Sequence, residues 1–130
     1  MNNAVIDASA LIAFVKRERG FELVQSWLGD AAISAINFSE CLQKLVDCDS
    51  EKNLLYGIIS SFGMSIVEFD QIAAENVAAI FPIAKSGVSL ADRACLALGR
   101  ELNLPVITAD RAWLTLNVGA EVICIREIVK

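Results

Sequence analysis

No histidine occurs anywhere in the 130 residues. Imidazole is therefore excluded as base, acid or ligand, and with it every Cys/His zinc site. The four cysteines, Cys41, Cys48, Cys95 and Cys124, form no C-x-x-C pair, and each lies in apolar context. They read as reduced thiols packed as small hydrophobes. Long apolar runs are missing as well: the longest, Ala10 to Val15, falls far short of the roughly 20 residues that span a bilayer. Met1-Asn2-Asn3 carries no basic segment and leads straight into an apolar stretch, so no signal peptide and a cytosolic protein are expected. Repeats, low-complexity tracts and linkers are also lacking. Residues 1–130 read as one domain, long enough to bury roughly two thirds of its unfolded surface.

Hydrophobic residues make up 55% of the chain, which excludes a disordered protein. Of the net charge of −5, four units belong to Asp7, Glu40, Asp92 and Asp110, leaving the remainder at −1. An acidic chain argues against nucleic acid, but less strongly when its acids are gathered at one site.

Five short apolar stretches predict strands: Ala4-Val5-Ile6, Ala31-Ala32-Ile33, Ser65-Ile66-Val67, Pro105-Val106-Ile107 and Val122-Ile123-Cys124. None alternates polar with apolar residues, the pattern of strands buried on both faces. Pro105 is acceptable because it opens its strand. Helical patterns lie between them: Ala8 to Val15, Phe21 to Leu28, Asn37 to Cys48, Ser50 to Phe62, Gln71 to Phe81 and Leu90 to Leu102, with a short one after Asp110. Asp70 reads as the N-cap of the fifth and Pro82 as its end. Ala91, Ala94, Cys95, Leu98 and Leu102 read as the core side of the sixth. Strands alternating with helices predict an α/β layered fold around a parallel sheet.

The four acids stand where a strand hands over to a helix, or in a helix's first turn. In a parallel α/β sheet those places share one edge, outside the carboxyl ends of the strands. Each acid also has a local explanation. Asp7 can cap the helix beginning at Ala8, and Asp110 the turn Arg111-Ala112-Trp113. Asn37-Phe38-Ser39-Glu40 and Ser89-Leu90-Ala91-Asp92 both fit a capping box. Capping and convergence are compatible, because a helix N-terminus favours an ionised carboxylate. Glu40 falls opposite its helix's apolar stripe, beside Lys44, and Asp92 lies in line with Leu96 and Gly99. Two carboxylates about 6 Å apart repel by roughly 2–3 kcal/mol at an effective dielectric near 20. A divalent cation relieves that repulsion, and all-oxygen donors suit a hard one such as Mg²⁺ or Mn²⁺.

Val5-Ile6-Asp7-Ala8-Ser9-Ala10-Leu11 resembles the opening motif of PIN-domain ribonucleases, and Asn37-Phe38-Ser39-Glu40 their second acidic site. Ser89-Leu90-Ala91-Asp92-Arg93-Ala94-Cys95-Leu96-Ala97-Leu98 is similar to the third motif of the VapC toxins in that family. Thr108-Ala109-Asp110-Arg111-Ala112-Trp113 resembles the fourth. The resemblance covers essentially the whole chain. It implies a PIN-like three-layer sandwich, with a central five-stranded parallel sheet ordered 3-2-1-4-5, flanked by helices, and the acids in a central groove. It further implies Mg²⁺- or Mn²⁺-dependent cleavage of RNA, usually in a homodimer, and a VapB antitoxin whose C-terminal segment blocks the groove.

On this resemblance Asp7 and Asp92 would hold the principal metal, with Asp110 closing the site directly or through water. Glu40 would orient or deprotonate the attacking water, or help hold a second metal. In-line attack would leave a 3′-hydroxyl and a 5′-phosphate. Ser9 and Thr108 each lie two residues from a proposed ligand and can fix that carboxylate's rotamer, or simply satisfy local backbone groups. Arg93 and Arg111 directly follow an acid and can contact RNA phosphates, or be solvated surface arginines. Lys16, Arg17, Lys44 and Lys85 are weaker candidates. Trp27 reads as core or interface and Trp113 as packing under the short helix. Two rivals stand beside the nuclease: a receiver-like Mg²⁺-binding signalling domain and a non-catalytic protein-interaction α/β domain. The first would want paired acids after the first strand and a lysine after the last, and finds neither. The second would show no specific Mn²⁺ binding.

Overall fold

The computed structural model describes residues 2–84 and 87–126. Five strands, β1 (Val5–Ile6), β2 (Ala32–Ser34), β3 (Ser65–Val67), β4 (Val106–Thr108) and β5 (Val122–Cys124), form one sheet ordered β3-β2-β1-β4-β5. Every pairing is parallel. Among the described residues six helices cover it: α1 (Ala8–Val15), α2 (Phe21–Trp27), α3 (Ala35–Lys44), α4 (Asp49–Ser61), α5 (Gln71–Ala84) and α6 (Leu90–Leu102). A 3-10 helix spans Arg111–Thr115. The expected α/β class, sheet order and layering are all present.

The pleat explains the layers. Successive strand side chains point to opposite faces. Ile6, Ile33 and Ile107 therefore enter a core shared with α1 to α4, while Val5 and Val106 enter a second core under α5 and α6. Continuous apolar strands are what such a doubly covered sheet requires. The edge strand β3 departs from the expectation of burial on both faces, with Ser65 and Ile66 exposed. Cys41, Cys95 and Cys124 are buried and Cys48 half-buried, all four as free thiols. Trp27 packs half-buried against the first core and Trp113 is buried in the second. Among the described residues no helix is long and apolar enough to cross a membrane.

Three helix boundaries differ from the sequence expectation by two residues or more. The third helix starts at Ala35, not Asn37: Ser34 ends β2 and caps α3 by accepting the Ile36 amide at 3.2 Å. It stops at Lys44, well before the expected Cys48, and Val46 just beyond it is exposed. The fifth helix does not stop at Pro82 but runs to Ala84. A proline inside a helix removes one amide and crowds the preceding turn. Here it falls two residues from the helix end, and burial of Ile80 and Ala84 in the second core favours continuation. Leu102, expected on the core side of α6, is exposed. Asp70 caps α5 as expected, accepting the Ala73 amide at 2.9 Å.

Two glycines set close approaches. Gly20, at φ +94°, joins α1 to α2, and a Cβ there would stand 2.5 Å from the Ile125 carbonyl oxygen. The turn after α1 thereby lies directly on the chain leaving β5. Gly99 lets α6 approach β4: a Cβ would overlap Val106 Cγ2 and come within 3.3 Å of the Leu104 carbonyl oxygen. Alanine gains up to about 1 kcal/mol of helix propensity over glycine, whereas overpacking a tight core costs about 1–3 kcal/mol. Because Val106 is fully buried and stiff at χ1, the overlap dominates. Gly99→Ala is expected to lower stability by about 1–2 kcal/mol in urea unfolding; a gain would show that α6 does not need this contact.

Candidate active site

The carboxyl edge of the sheet places the first acid. Asp7 follows β1 directly, and its amide donates to the Ile107 carbonyl of β4 at 2.9 Å. Its backbone stands at the N-cap of α1, but its side chain makes no capping bond. The capping explanation therefore fails for this carboxylate, which is 4% exposed. Its Oδ2 accepts from Ser9 Oγ at 2.5 Å and from Thr108 Oγ1 at 2.8 Å. Each hydroxyl in turn accepts a backbone amide from the chain leaving β4: Ala109 to Ser9 at 2.9 Å and Asp110 to Thr108 at 3.0 Å. Thr108 thus serves Asp7, not the carboxylate of Asp110 two residues along. Among the described residues Asp7 Oδ1 has no hydrogen-bond donor.

Burial raises the Asp7 carboxyl from its ordinary 3.8 to about 6. The Ser9 and Thr108 hydrogen bonds oppose the rise, and the charges of Asp92 and Glu40 add to it. Asp92 is raised too, first by burial, then by Glu40 and Asp110, against the lowering bonds from Ser89. Each acid therefore feels at least one other across the same edge. Burial pushes the Cys41 thiol up to about 12, with Asp7 and Glu40 adding to it, and Cys95 well above its ordinary value. Both stay protonated and are poor ligands.

Asp92 and Asp110 are caps as well. Ser89 and Asp92 form the expected capping box: Ser89 Oγ accepts the Asp92 amide at 3.0 Å, and Asp92 Oδ2 accepts the Ser89 amide at 3.4 Å. Asp110 Oδ1 accepts the Ala112 amide at 2.9 Å, beside buried Trp113. Asp92 and Asp110 line one hollow together with Val88, Trp113, Leu116 and Asn117.

Glu40 is positioned differently. Asn37 lies inside α3 and caps nothing, so the expected Asn37–Glu40 capping box does not form. The Asn37 side chain is wholly enclosed. Its amide donates to Glu40 Oε1 at 3.0 Å and to the Ala91 carbonyl of α6 at 3.0 Å. One buried amide thus ties Glu40 to the turn that carries Asp92. Asn37 Oδ1 has no partner among the described residues. The apolar-stripe reading missed Asn37, and its only signal was a polar residue at an inward helical position.

The candidate bases divide. Arg93 turns toward α5, its guanidinium 5.0 Å from the Phe81 ring centroid and its Nε enclosed without a partner among the described residues. Arg17 lies over Phe14 and Phe21, at 5.9 and 5.1 Å. Arg111 lines a hollow beside Ser9 and Asp110, and Lys16 and Lys44 line its neighbour. Lys85 lies outside the described residues.

Among the described residues no three acidic or thiol groups already stand close enough to grip one ion. The donor set nonetheless fits a hard cation: its oxygens repel one another, and burial pushes the carboxyl of Asp7, the most buried of them, up to about 6. A parallel α/β sheet with coupled carboxylates at its carboxyl edge defines a protein with an acidic, histidine-free site at the strand ends. The PIN domain profile matches residues 4–117, and the chain belongs to the PIN-domain family, whose members are generally nucleases. No curated protein matches it in sequence. Among solved structures, a toxin–antitoxin complex from Klebsiella pneumoniae is similar at 23% identity and TM-score 0.79, over 97% of this chain and 100% of that one. FitAcB from Neisseria gonorrhoeae is similar at 24% identity and TM-score 0.72, over 96% and 99%. DNA-bound VapBC from Salmonella typhimurium follows at 15% identity and TM-score 0.71, over 96% and 99%. At these identities the likeness shows a shared fold.

A raised carboxyl binds its proton more tightly in the folded chain, so its contribution to stability falls as pH climbs from 3.8 to about 6. Asp7→Asn has no such charge. With chelator present it is expected to be more stable than the parent above that window, by on the order of 2 kcal/mol, the gap closing below it. Urea unfolding across the window measures this; a parent as stable as the variant at neutral pH contradicts a strained Asp7. Asn37→Ala removes two buried hydrogen bonds and is expected to cost about 1–3 kcal/mol by the same measurement.

Proposed function

We propose that the chain is a Mg²⁺-dependent endoribonuclease, with Mn²⁺ as a substitute, and the toxin of a type II toxin–antitoxin pair. One observation carries this reading: in a PIN-family chain, four acids from separate segments act on one another at one sheet edge. Support for the toxin role comes from the fold shared with toxin–antitoxin complexes. A VapB-type antitoxin would be the partner and inhibitor, and the working form would be a homodimer in the cytoplasm.

Asp7, Asp92 and Asp110 would hold the cation, Asp7 through the Oδ1 that its hydroxyl partners leave open. A bound divalent cation lowers the pKa of water and neutralises charge on a phosphate. Ser9 and Thr108 hold the Asp7 rotamer, so that no reorganisation is needed when phosphate arrives. Asn37 holds Glu40 beside Asp92, where Glu40 orients the attacking water or takes its proton. Water attacks in line, the phosphodiester P–O3′ bond breaks, and the products carry a 3′-hydroxyl and a 5′-phosphate. The RNA 2′-hydroxyl takes no part.

Asp92→Asn keeps a polar group for the capping box and removes a charge from the cluster. RNA cleavage with Mg²⁺ is expected to fall by at least about a hundredfold, with the melting temperature unchanged or raised. Full activity in a folded Asp92→Asn chain, or 2′,3′-cyclic phosphate ends by RNA-end sequencing, contradicts the assignment.

A further inference from the structure

The acids are not the only charges concentrated at this edge. Five of the chain's eleven Lys and Arg residues line two adjoining hollows that share Ser9 and Arg126. Lys16, Lys44 and Arg126 line the first, and Arg19, Arg111 and Arg126 the second. The acids lining them are Glu18 and Asp110, and Lys16 also pairs with Glu51 at 3.9 Å, so five cations face three anions in a chain whose net charge is −5. Four segments supply the cations: the turn after α1, the end of α3, the 3-10 helix and the turn after β5.

The arrangement is built as well as charged. Arg126 donates through Nε to the Arg19 carbonyl at 3.3 Å and pairs with Glu18 Oε1 at 3.0 Å. Arg19 donates back to the Arg126 carbonyl at 3.4 Å. The Gly20 turn, packed on Ile125, makes this mutual clasp possible. Two arginines from opposite ends of the chain are thus clasped together, and Arg111 lines the same hollow as Asp110. Glu18 offsets the charge of Arg126, which leaves the exposed guanidiniums of Arg19 and Arg111, whose planar fork matches phosphate oxygens.

We propose that this trough is a phosphate track for single-stranded RNA. Arg19, Arg111 and Arg126 hold the phosphate next to the cleaved bond, and Lys16 and Lys44 receive the following one. The inference rests on the nuclease reading and deepens it, by fixing on which side of the carboxylates the strand continues. Neither Arg19 nor Arg126 adjoins a motif acid in sequence; only the fold brings them to Asp110.

The test is binding without cleavage: fluorescence anisotropy of a short labelled single-stranded oligoribonucleotide, in chelator, across a salt series. The double variant Arg19→Gln/Arg111→Gln alters two exposed side chains and leaves the Arg126–Glu18 pair in place. Its affinity is expected to fall roughly tenfold or more, and the slope of log affinity against log salt to shrink by up to about 0.7, the contribution of one phosphate on a single strand. Lys52→Gln/Arg100→Gln removes the same charge away from the trough and is expected to bind like the parent. Unchanged affinity and slope in the first variant, or an equal loss in the second, overturns the track. The nuclease reading fails separately: if the parent never cuts RNA with Mg²⁺ or Mn²⁺ while the first variant alone loses binding, the track stands and catalysis does not.

Discussion

A carboxylate buried at the end of the first strand organises this protein. Removing an ionised group from water costs several kcal/mol unless partners replace the lost hydration. Asp7 obtains two hydroxyls, both on one oxygen, from residues 99 positions apart in the sequence: Ser9 beside it and Thr108 across the sheet. Those hydroxyls are held in turn by amides of the chain leaving β4. The network locks the carboxyl ends of β1 and β4 together, and it still leaves Asp7 raised to about 6. The residual strain is an electrostatic demand for positive charge at a fixed point. Active sites commonly hold such strain at the expense of stability.

Much of this was legible in the sequence where one local rule acted alone. Five apolar stretches became five strands because each is short, continuous and bounded by turns. Ser89 and Asp92 formed their box because both partners lie within one helical turn. The misreadings share a cause: two rules competed and tertiary packing decided. Asn37 looked like a cap three residues before an acid, yet Ser34 stood closer to the end of β2 and took the position. Pro82 looked like a helix end until Ile80 and Ala84 found a core to fill. Thr108 looked like a neighbour of Asp110, but its strand sends the hydroxyl sideways to Asp7. Arg19 and Arg126 had no sequence signal at all, since their proximity exists only once β5 returns beside α1.

Net charge is a poor guide to a molecule organised this way. The global value of −5 averages an acidic cleft with a basic flank that share a border at Asp110. Screening limits each to its own surroundings, within about 8–10 Å at physiological salt. A polyanion approaching the basic flank therefore meets attraction first, and the carboxylates only after contact. Clustering of charge, read in three dimensions, carries the information that the total conceals.

The outer strand β3 has a different consequence. It is three residues long and exposes Ser65 and Ile66 on the open border of the sheet. An unpaired border is a template on which strands of other molecules can grow. With so few amides and carbonyls to offer, β3 gives an intruder almost nothing to zip onto. Brevity at that margin lets a chain that is more than half hydrophobic resist polymerising through its own sheet.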